Sequence, residues 1–520
     1  MASTRAIINS TAREFYVPMH EGLAGLIPEA RDVTIKGEKR IALPHTTDVT
    51  RLARNFGFIV PAPILSQYAW PIKPPPFKTQ KTTAALLTMN ARAYVLSEMG
   101  TGKTRGALFA CDHMLQRGEI TKVLVAAPLS TLSQVWDREV FEYFGHLNVQ
   151  VVHGSADARR KKLLKPAHIY VINHDGVEVV LKELLQMQFD VIIIDEIGCY
   201  RNKKTDKWAD MFSLVHKAPY AWGMTGSPTP NSPVDAWGIA KLLTPSRAPK
   251  WKKEFQRKTM TQMTQFRWIP KADANDHVYA MLQPAVRYKR DDCMELPDVS
   301  YQTINVPPSK VVARVYKQLI DKLKIAFLEG QVTAANEGVL FMKLLQVACG
   351  WVYTQDGGKG RRVVSLDNRK RVQEVVDIYD QSAGKVIVFA DFTHAAKELH
   401  KRVIKAGVKA CLVTGDTSKK HRDDIFGTFQ NSAEKSMIVA HPKCMAHGLN
   451  LTAANTIIWF TPTTSLETYE QACARITRPG QVRKSLIIHL TGTPIEGKIY
   501  SRLRQKASIQ GALLDMFDDN

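Results

Sequence analysis

Short continuous apolar runs recur along the chain, separated by segments of helical periodicity. From about residue 80 to 245 the runs are Ala91–Leu96, Lys122–Ala127, His168–Ile172, Asp190–Ile194 and Ala221–Met224. The alternation resumes with Lys385–Ala390, Ala410–Val413, Ser436–Ala440, Thr456–Trp459 and Ser485–Leu490. A strand that is apolar on both sides must be covered on both faces, so each half predicts a parallel sheet between helical layers. Ahead of them, Val33–Ile35 and Arg40–Leu43 flank the polar Lys36-Gly37-Glu38-Lys39 and predict a hairpin. Residues 46–56 predict a helix capped by Thr47 or Asp48, with Val49, Leu52, Ala53 and Phe56 on one face. The run Pro71-Ile72-Lys73-Pro74-Pro75-Pro76 reads as a linker. Residues near 246–285 are basic and weakly periodic. These breaks divide the chain into an N-terminal accessory module of α+β type (1–70), a first α/β lobe (71–245), a basic connecting region (246–285), a second α/β lobe (286–505) and a tail (506–520).

Composition narrows the function classes. The chain has 520 residues, 45% of them hydrophobic, enough for two packed lobes. No apolar run approaches the ~18 residues that span a bilayer, so no membrane partner is expected. Seven scattered cysteines form neither a disulfide framework nor a zinc pattern, which fits a reducing, nucleic-acid-containing compartment such as the cytoplasm. The net charge of +22, from 71 basic and 49 acidic side chains, points to a polyanionic partner, nucleic acid first. Basic clusters recur at Arg159–Lys162, at Lys250–Lys258 with Trp251 and Phe255 interleaved, and at Lys419–Arg422. One such cluster alone is more often a solvated face than a contact site.

Three stretches carry chemistry. Ser97-Glu98-Met99-Gly100-Thr101-Gly102-Lys103-Thr104 follows one apolar run and opens a helical segment. Strand, glycine-rich turn and helix make a phosphate cradle: backbone N–H groups of Gly100, Thr101 and Gly102 turn inward and the helix N-terminus adds partial positive charge. Lys103 would reach the β/γ-phosphates of ATP and the Thr104 hydroxyl would hold Mg²⁺. Ser97 stands where the strict pattern has glycine. In the second stretch, Phe189–Glu196, a strand delivers the adjacent carboxylates of Asp195 and Glu196 at its C-terminal end, where open α/β sheets bind ligands. Asp195 would hold the metal and Glu196 would orient and deprotonate water. In the third, Gln471–Gln481, a spacing of three puts Arg475 and Arg478 on one helix face. They read either as arginine fingers on a γ-phosphate or as a nucleic-acid contact or surface ion pair.

With these motifs in order, residues from about 76 to 500 resemble the Swi/Snf-related branch of superfamily-two helicases and translocases. Pro76-x-x-x-Gln80 is similar to that family's adenine-reading glutamine motif. Glu98–Thr104 is similar to its nucleotide loop, and Ala127–Ser130 with Trp136 and Glu139 to the motif that contacts a DNA strand. Arg201–Thr205 resembles the basic segment after the acidic box. Thr225-Gly226-Ser227-Pro228-x-x-Asn231 resembles the motif linking hydrolysis to movement. Arg290–Asp292 with Leu296-Pro297, Val386–Phe389, Gly448–Thr452 and Gln471–Gln481 resemble the second-lobe motifs. The chain departs from the family at Gly198, which replaces a histidine that couples ATP state to the next motif, and at Ser227, which replaces threonine.

The resemblance implies two tandem RecA-like lobes with ATP and Mg²⁺ between them, Gln80 reading adenine, and a monomeric motor on double-stranded or branched DNA. The short join between lobes implies a compact motor without the large insertions of nucleosome remodellers. A strand-separating helicase on DNA or RNA shares the same core and stays open. A nucleotide-gated binding protein without motor activity is the alternative of another class. The prelude resembles, loosely, the substrate-recognition modules of annealing helicases, against a simple brace on the first lobe. Leu513–Asn520 reads as an acidic-aromatic docking tail for a partner or as a frayed helix end.

Overall fold

The computed structural model describes residues 5–505 apart from 72, 74, 99, 230–231, 264–267, 289–297, 329–333, 356–360, 446–450 and 479–480. Asn231, the Arg290–Asp292 and Leu296-Pro297 motifs, Gly448–Asn450 and the 506–520 tail therefore lie outside the described residues. The chain forms two compact units, the first holding most of residues 1–293 and the second most of 294–520.

The first unit opens with a four-stranded antiparallel sheet: β1 (Ile7–Asn9), β2 (Glu14–Pro18), β3 (Arg31–Ile35) and β4 (Glu38–Pro44), in spatial order β1-β2-β4-β3. The expected hairpin is β3–β4. Its turn residues Lys36 and Gly37 both have positive φ, +52° and +84°, which matches the right-handed twist of the strands. The following helix runs Thr47–Asn55, and its cap is Thr46, whose Oγ1 accepts the Val49 N–H at 3.3 Å. Thr47 and Asp48, the expected caps, are helical because Thr46 is the last residue with extended backbone. Phe15, Val17, Ile41, Leu43, Ala53 and Phe58 close a small separate core. Arg51 ties this module to the helix Lys78–Met89 by donating from Nε to the Met89 carbonyl at 2.8 Å.

The first large sheet has seven parallel strands: β5 (Arg92–Val95), β6 (Val123–Ala127), β7 (Val149–Val152), β8 (Ile169–Asn173), β9 (Val191–Asp195), β10 (Tyr220–Met224) and β13 (Ala285–Val286). Their order is β13-β5-β10-β9-β6-β8-β7. Side chains alternate across it. Val95, Val125, Val171 and Ile193 pack on one face with the helices Lys78–Met89 and Lys103–Gln116. Leu96, Ala126, Ile172 and Ile194 pack on the other with Asp206–Lys217 and Asp235–Leu243. Residues 246–261 and 269–286 belong to this unit, while 262–268 group with the second. A two-stranded ribbon is formed by β11 (Met260–Gln262) and β12 (Trp268–Pro270), Phe255, Val278, Met281 and Leu282 are buried in the first core, and β13 joins the sheet beside β5.

The second unit carries a six-stranded parallel sheet in the order β14-β21-β20-β17-β19-β18, with a separate hairpin of β15 (Trp351–Gln355) and β16 (Arg361–Ser365). The sheet strands are β14 (Val299–Asn305), β17 (Lys385–Phe389), β18 (Ala410–Val413), β19 (Met437–Ala440), β20 (Ala454–Trp459) and β21 (Ser485–Thr491). Two parallel α/β lobes with an antiparallel N-terminal sheet are thus the architecture that the patterning predicts.

Candidate active site

The phosphate-cradle residues sit at the C-terminal edge of the first sheet. After β5 the chain turns through Gly100 and Gly102, at φ +83° and +77°, into the helix Lys103–Gln116. Only glycine adopts these angles without strain. The loop is closed on itself: Lys103 Nζ donates to the carbonyls of Ser97 (2.7 Å) and Glu98 (3.2 Å), and Thr101 Oγ1 donates to Glu98 O at 2.8 Å. Ser97 has a local reason to replace glycine. Its Oγ accepts the Tyr288 N–H at 3.1 Å, and the Glu98 N–H donates to Tyr288 O at 2.9 Å, so the loop is stapled to the chain after β13. Gln80 is buried. Its Oε1 accepts the Phe77 N–H at 2.9 Å, and its amide lies against Gly102, where an added Cβ would fall 2.2 Å from Nε2. The expected adenine reader therefore packs on the phosphate loop itself.

The acidic strand β9 lies two strands from β5. Asp195 is 8% exposed, and Trp136 Nε1 donates to its Oδ2 at 3.1 Å. Burial pushes the Asp195 carboxyl above its ordinary range. The Trp136 hydrogen bond and the charge of Lys103 pull the other way. Glu196 has left-handed backbone angles, φ +53° and ψ +54°, which cost a non-glycine residue on the order of 1–2 kcal/mol. This turn aims its carboxylate at the end of β10, where Thr225 Oγ1 donates to Glu196 Oε2 at 3.2 Å and accepts the Ser227 N–H at 3.2 Å. The acidic box and the Thr-Gly-Ser segment are thereby one hydrogen-bonded unit. A Cβ built on Gly198 would touch Ser227 O (3.8 Å) and Thr225 Oγ1 (3.9 Å), so the position that lacks the family's histidine faces this same relay.

Trp136 corrects one expectation. The resemblance places it in a strand-contacting motif, yet it is fully buried in a π-helical turn, Leu132–Asp137, and serves Asp195. Glu139 is held by Arg105 at 2.8 Å. In that segment Leu129, Gln134 and Arg138 are exposed.

The arginine geometry also differs from expectation. The helix ends at Cys473, so Arg475 and Arg478 lie in the irregular turn beyond it rather than on one helix face. Arg475 is fully buried, with Nε donating to Gln471 O at 2.8 Å. Arg478 is half-buried, with Nε donating to Ala474 O at 2.9 Å. Gln481 anchors the turn by donating to the Ala454 (2.8 Å) and Ile476 (3.0 Å) carbonyls. Lys103, Thr104, Asp195 and Glu196 thus share one edge of the first sheet, while both arginines belong to the second unit.

A glycine cradle at a 14-residue helix, a lysine at its rim and a buried carboxylate two strands away define a P-loop nucleotide hydrolase with a second α/β lobe. Residues 84–349 match the SNF2-related domain and residues 369–480 match the helicase conserved C-terminal domain. The chain belongs to the SNF2-related family and is an ATPase/helicase core of that family. Putative protein p41 of Acyrthosiphon pisum secondary endosymbiont phage 1 is 27% identical, over 82% of this chain and 94% of its own. The uncharacterized ATP-dependent helicase MG018 of Mycoplasma genitalium is 24% identical, over 79% of this chain and 39% of its own. Human chromodomain-helicase-DNA-binding protein 7 is 24% identical over 82% of this chain, which spans 15% of that protein's length. Among solved structures, the Sulfolobus solfataricus SWI2/SNF2 ATPase core in complex with dsDNA is 24% identical with a TM-score of 0.40, covering 83% of this chain and 91% of that one. No helix among the described residues is long and apolar enough to cross a membrane.

Proposed function

We propose that the protein is an ATP-driven translocase on double-stranded DNA. The observation that carries the reading is the relay Glu196–Thr225–Ser227, which joins the carboxylate placed to act on water to the segment that the family uses to link hydrolysis to movement. The donor set suits a magnesium nucleotide: positive-φ glycines at a helix N-terminus, a lysine now clasping loop carbonyls, and a hydroxyl and a buried carboxylate for a hard cation. Thr104 and Asp195 would hold Mg²⁺, whose charge would offset that of the phosphates. Lys103 would exchange the Ser97 and Glu98 carbonyls for the β/γ-phosphate oxygens. Gln80 would meet adenine. Glu196, held by Thr225, would orient the attacking water and take its proton. Arg478, the more accessible of the two, would answer the charge that builds on the γ-phosphate, while Arg475 is fully buried. The net charge of +22 suits a grip on the phosphate backbone that is salt-sensitive and sequence-neutral.

We assign residues 1–70 to an accessory module, 71–293 to the first lobe with its basic appendage, apart from 230–232 and 262–268, and residues from 294 on to the second lobe. Deleting residues 1–70 would remove the Arg51 bonds to the Lys78–Met89 helix. Thermal stability should fall if the module is a brace. Loss of a preference for forked over linear DNA, at unchanged stability, would instead mark it as a recognition element. Displacement of a third strand from a duplex–triplex junction tests translocation directly. ATP-dependent displacement without unwinding of the duplex is expected. Unwinding of a fork without triplex displacement would favour a strand-separating helicase.

A further inference from the structure

The basic appendage of the first lobe carries a feature that hydrolysis does not use. The helix Lys252–Thr259 is pinned by Phe255 and Thr259, both buried, one turn apart on its inner face. Everything else on it except half-buried Gln256 is exposed and charged: Lys252, Lys253, Glu254, Arg257 and Lys258. Arg247 and Lys250 just before it are exposed as well. Residues 247–258 thus present six cations against one acid. Within a Debye length of ~8 Å at physiological salt their fields overlap. At the head of the helix stands Trp251, 64% exposed, with Lys250 Nζ 5.2 Å from its ring centroid. Leaving most of an indole in water forgoes much of its burial energy. Phe255 and Thr259 already anchor the helix, so folding does not require Trp251 to be there.

We propose that Trp251 and its surrounding cations form an auxiliary site for single-stranded nucleic acid, with an unpaired base stacked on the indole and Lys252 and Lys253 on the adjoining phosphates. A flat aromatic face amid cations is the chemistry of sequence-tolerant single-strand binding. A base within a duplex is already stacked on both faces, so Trp251 selects unpaired stretches such as a displaced strand or a tail. The helix offers no lipid-facing apolar stripe, since its apolar side is consumed by the lobe core, and this disfavours a membrane surface. The inference rests on the reading of the protein as a nucleic-acid motor. It is tested separately from that reading, because equilibrium binding without nucleotide is independent of turnover.

The full-length protein is titrated against fluorescein-labelled (dT)20 and a blunt 20-base-pair duplex, at several salt concentrations. Trp251→Ala should weaken (dT)20 binding by about tenfold, within the range for loss of one base–aromatic stack, and Trp251→Phe should restore most of it. Duplex affinity should stay within about twofold. Lys252→Gln with Lys253→Gln should reduce the salt slope for (dT)20 by roughly 1.4, two single-strand phosphate contacts. Each side chain is exposed, so melting temperatures should match the parent. Wild-type affinity of the Trp251→Ala protein for (dT)20 would overturn the proposal, as would an equal loss on the duplex. Capture of phosphatidylserine vesicles through Trp251, without (dT)20 binding, would overturn it in favour of a lipid surface. If duplex DNA fails to stimulate ATP turnover while (dT)20 binding still depends on Trp251, the motor reading fails and this site stands.

Discussion

Replacing Trp136 by Phe keeps an aromatic ring in a fully buried pocket and deletes one bond, the 3.1 Å contact from Nε1 to Asp195 Oδ2. A hydrogen bond to a charged group contributes about 1.5–3 kcal/mol. At 1.36 kcal/mol per pKa unit, its loss should raise the Asp195 carboxyl by about 1–2 units. Burial already holds that carboxyl above its ordinary value, so the variant should keep its proton to a higher pH than the parent does. Protonation removes a charge from the proposed Mg²⁺ position. Loss of an outer partner of a metal ligand typically costs about 10–100-fold in affinity. ATP turnover measured against Mg²⁺ at fixed pH values from 5.5 to 9 should therefore show a weaker Mg²⁺ requirement constant and an acidic limb moved up by about 1–2 pH units. Stability follows the opposite sense. A carboxyl with a raised native pKa binds its proton more tightly folded than unfolded, so its contribution declines as pH climbs from 3.8 toward the native value. The substitution should widen that window. A pH–Mg²⁺ surface identical to that of the parent would reduce Trp136 to packing and remove it from the site.

Other outcomes are equally specific. Arg478→Ala should leave ATP binding nearly intact and cut turnover by about 10³-fold. Arg475→Ala empties a fully buried position and should instead lower the melting temperature. A pure loss of DNA affinity in Arg478→Ala would make Arg478 a backbone contact. Asp391, buried just beyond β17, has its carboxyl pushed up to about 7 by burial. Its stability contribution is complete at low pH and is lost as pH rises from 3.8 through 7, so Asp391→Asn should flatten the stability profile across that window. An unchanged profile in urea titrations would refute it. Gly198 accommodates a Cβ beside Thr225 and Ser227 without a clash, and Gly198→His should raise the ratio of DNA-stimulated to basal turnover. An unaltered ratio would place coupling elsewhere.

Much of this was legible along the chain because the informative residues are contiguous. Strands β5, β6, β8, β9 and β10 are buried on both faces, so each shows as an unbroken apolar run. Among the strands that escaped notice are the edges of both large sheets. β7 is half-buried, β13 is two residues, and β14 is exposed along most of its length, so none has a core-like pattern. The phosphate loop is readable because backbone conformation there is encoded by two glycines one residue apart, Gly100 and Gly102. The Trp136–Asp195 bond is not, since it joins residues far apart in sequence through tertiary packing alone. The spacing of Arg475 and Arg478 suggested a shared helix face, but the helix stops at Cys473 and the following turn is fixed by side chains bonding back to carbonyls. Thr46 rather than Thr47 capped its helix because the boundary depends on one residue's backbone angles.

The central claim is a DNA-driven ATPase, and the rate of ATP hydrolysis by the full-length protein tests it most directly. It should be measured with no polymer, duplex DNA, single-stranded DNA, branched DNA and RNA, with Glu196→Gln in parallel. The account predicts that duplex or branched DNA stimulates turnover well above RNA, that added salt abolishes the stimulation, and that Glu196→Gln binds ATP yet loses about 10²-fold or more of the rate. Turnover indifferent to every polymer, or a Glu196→Gln protein that hydrolyses ATP at the parent rate, would contradict it.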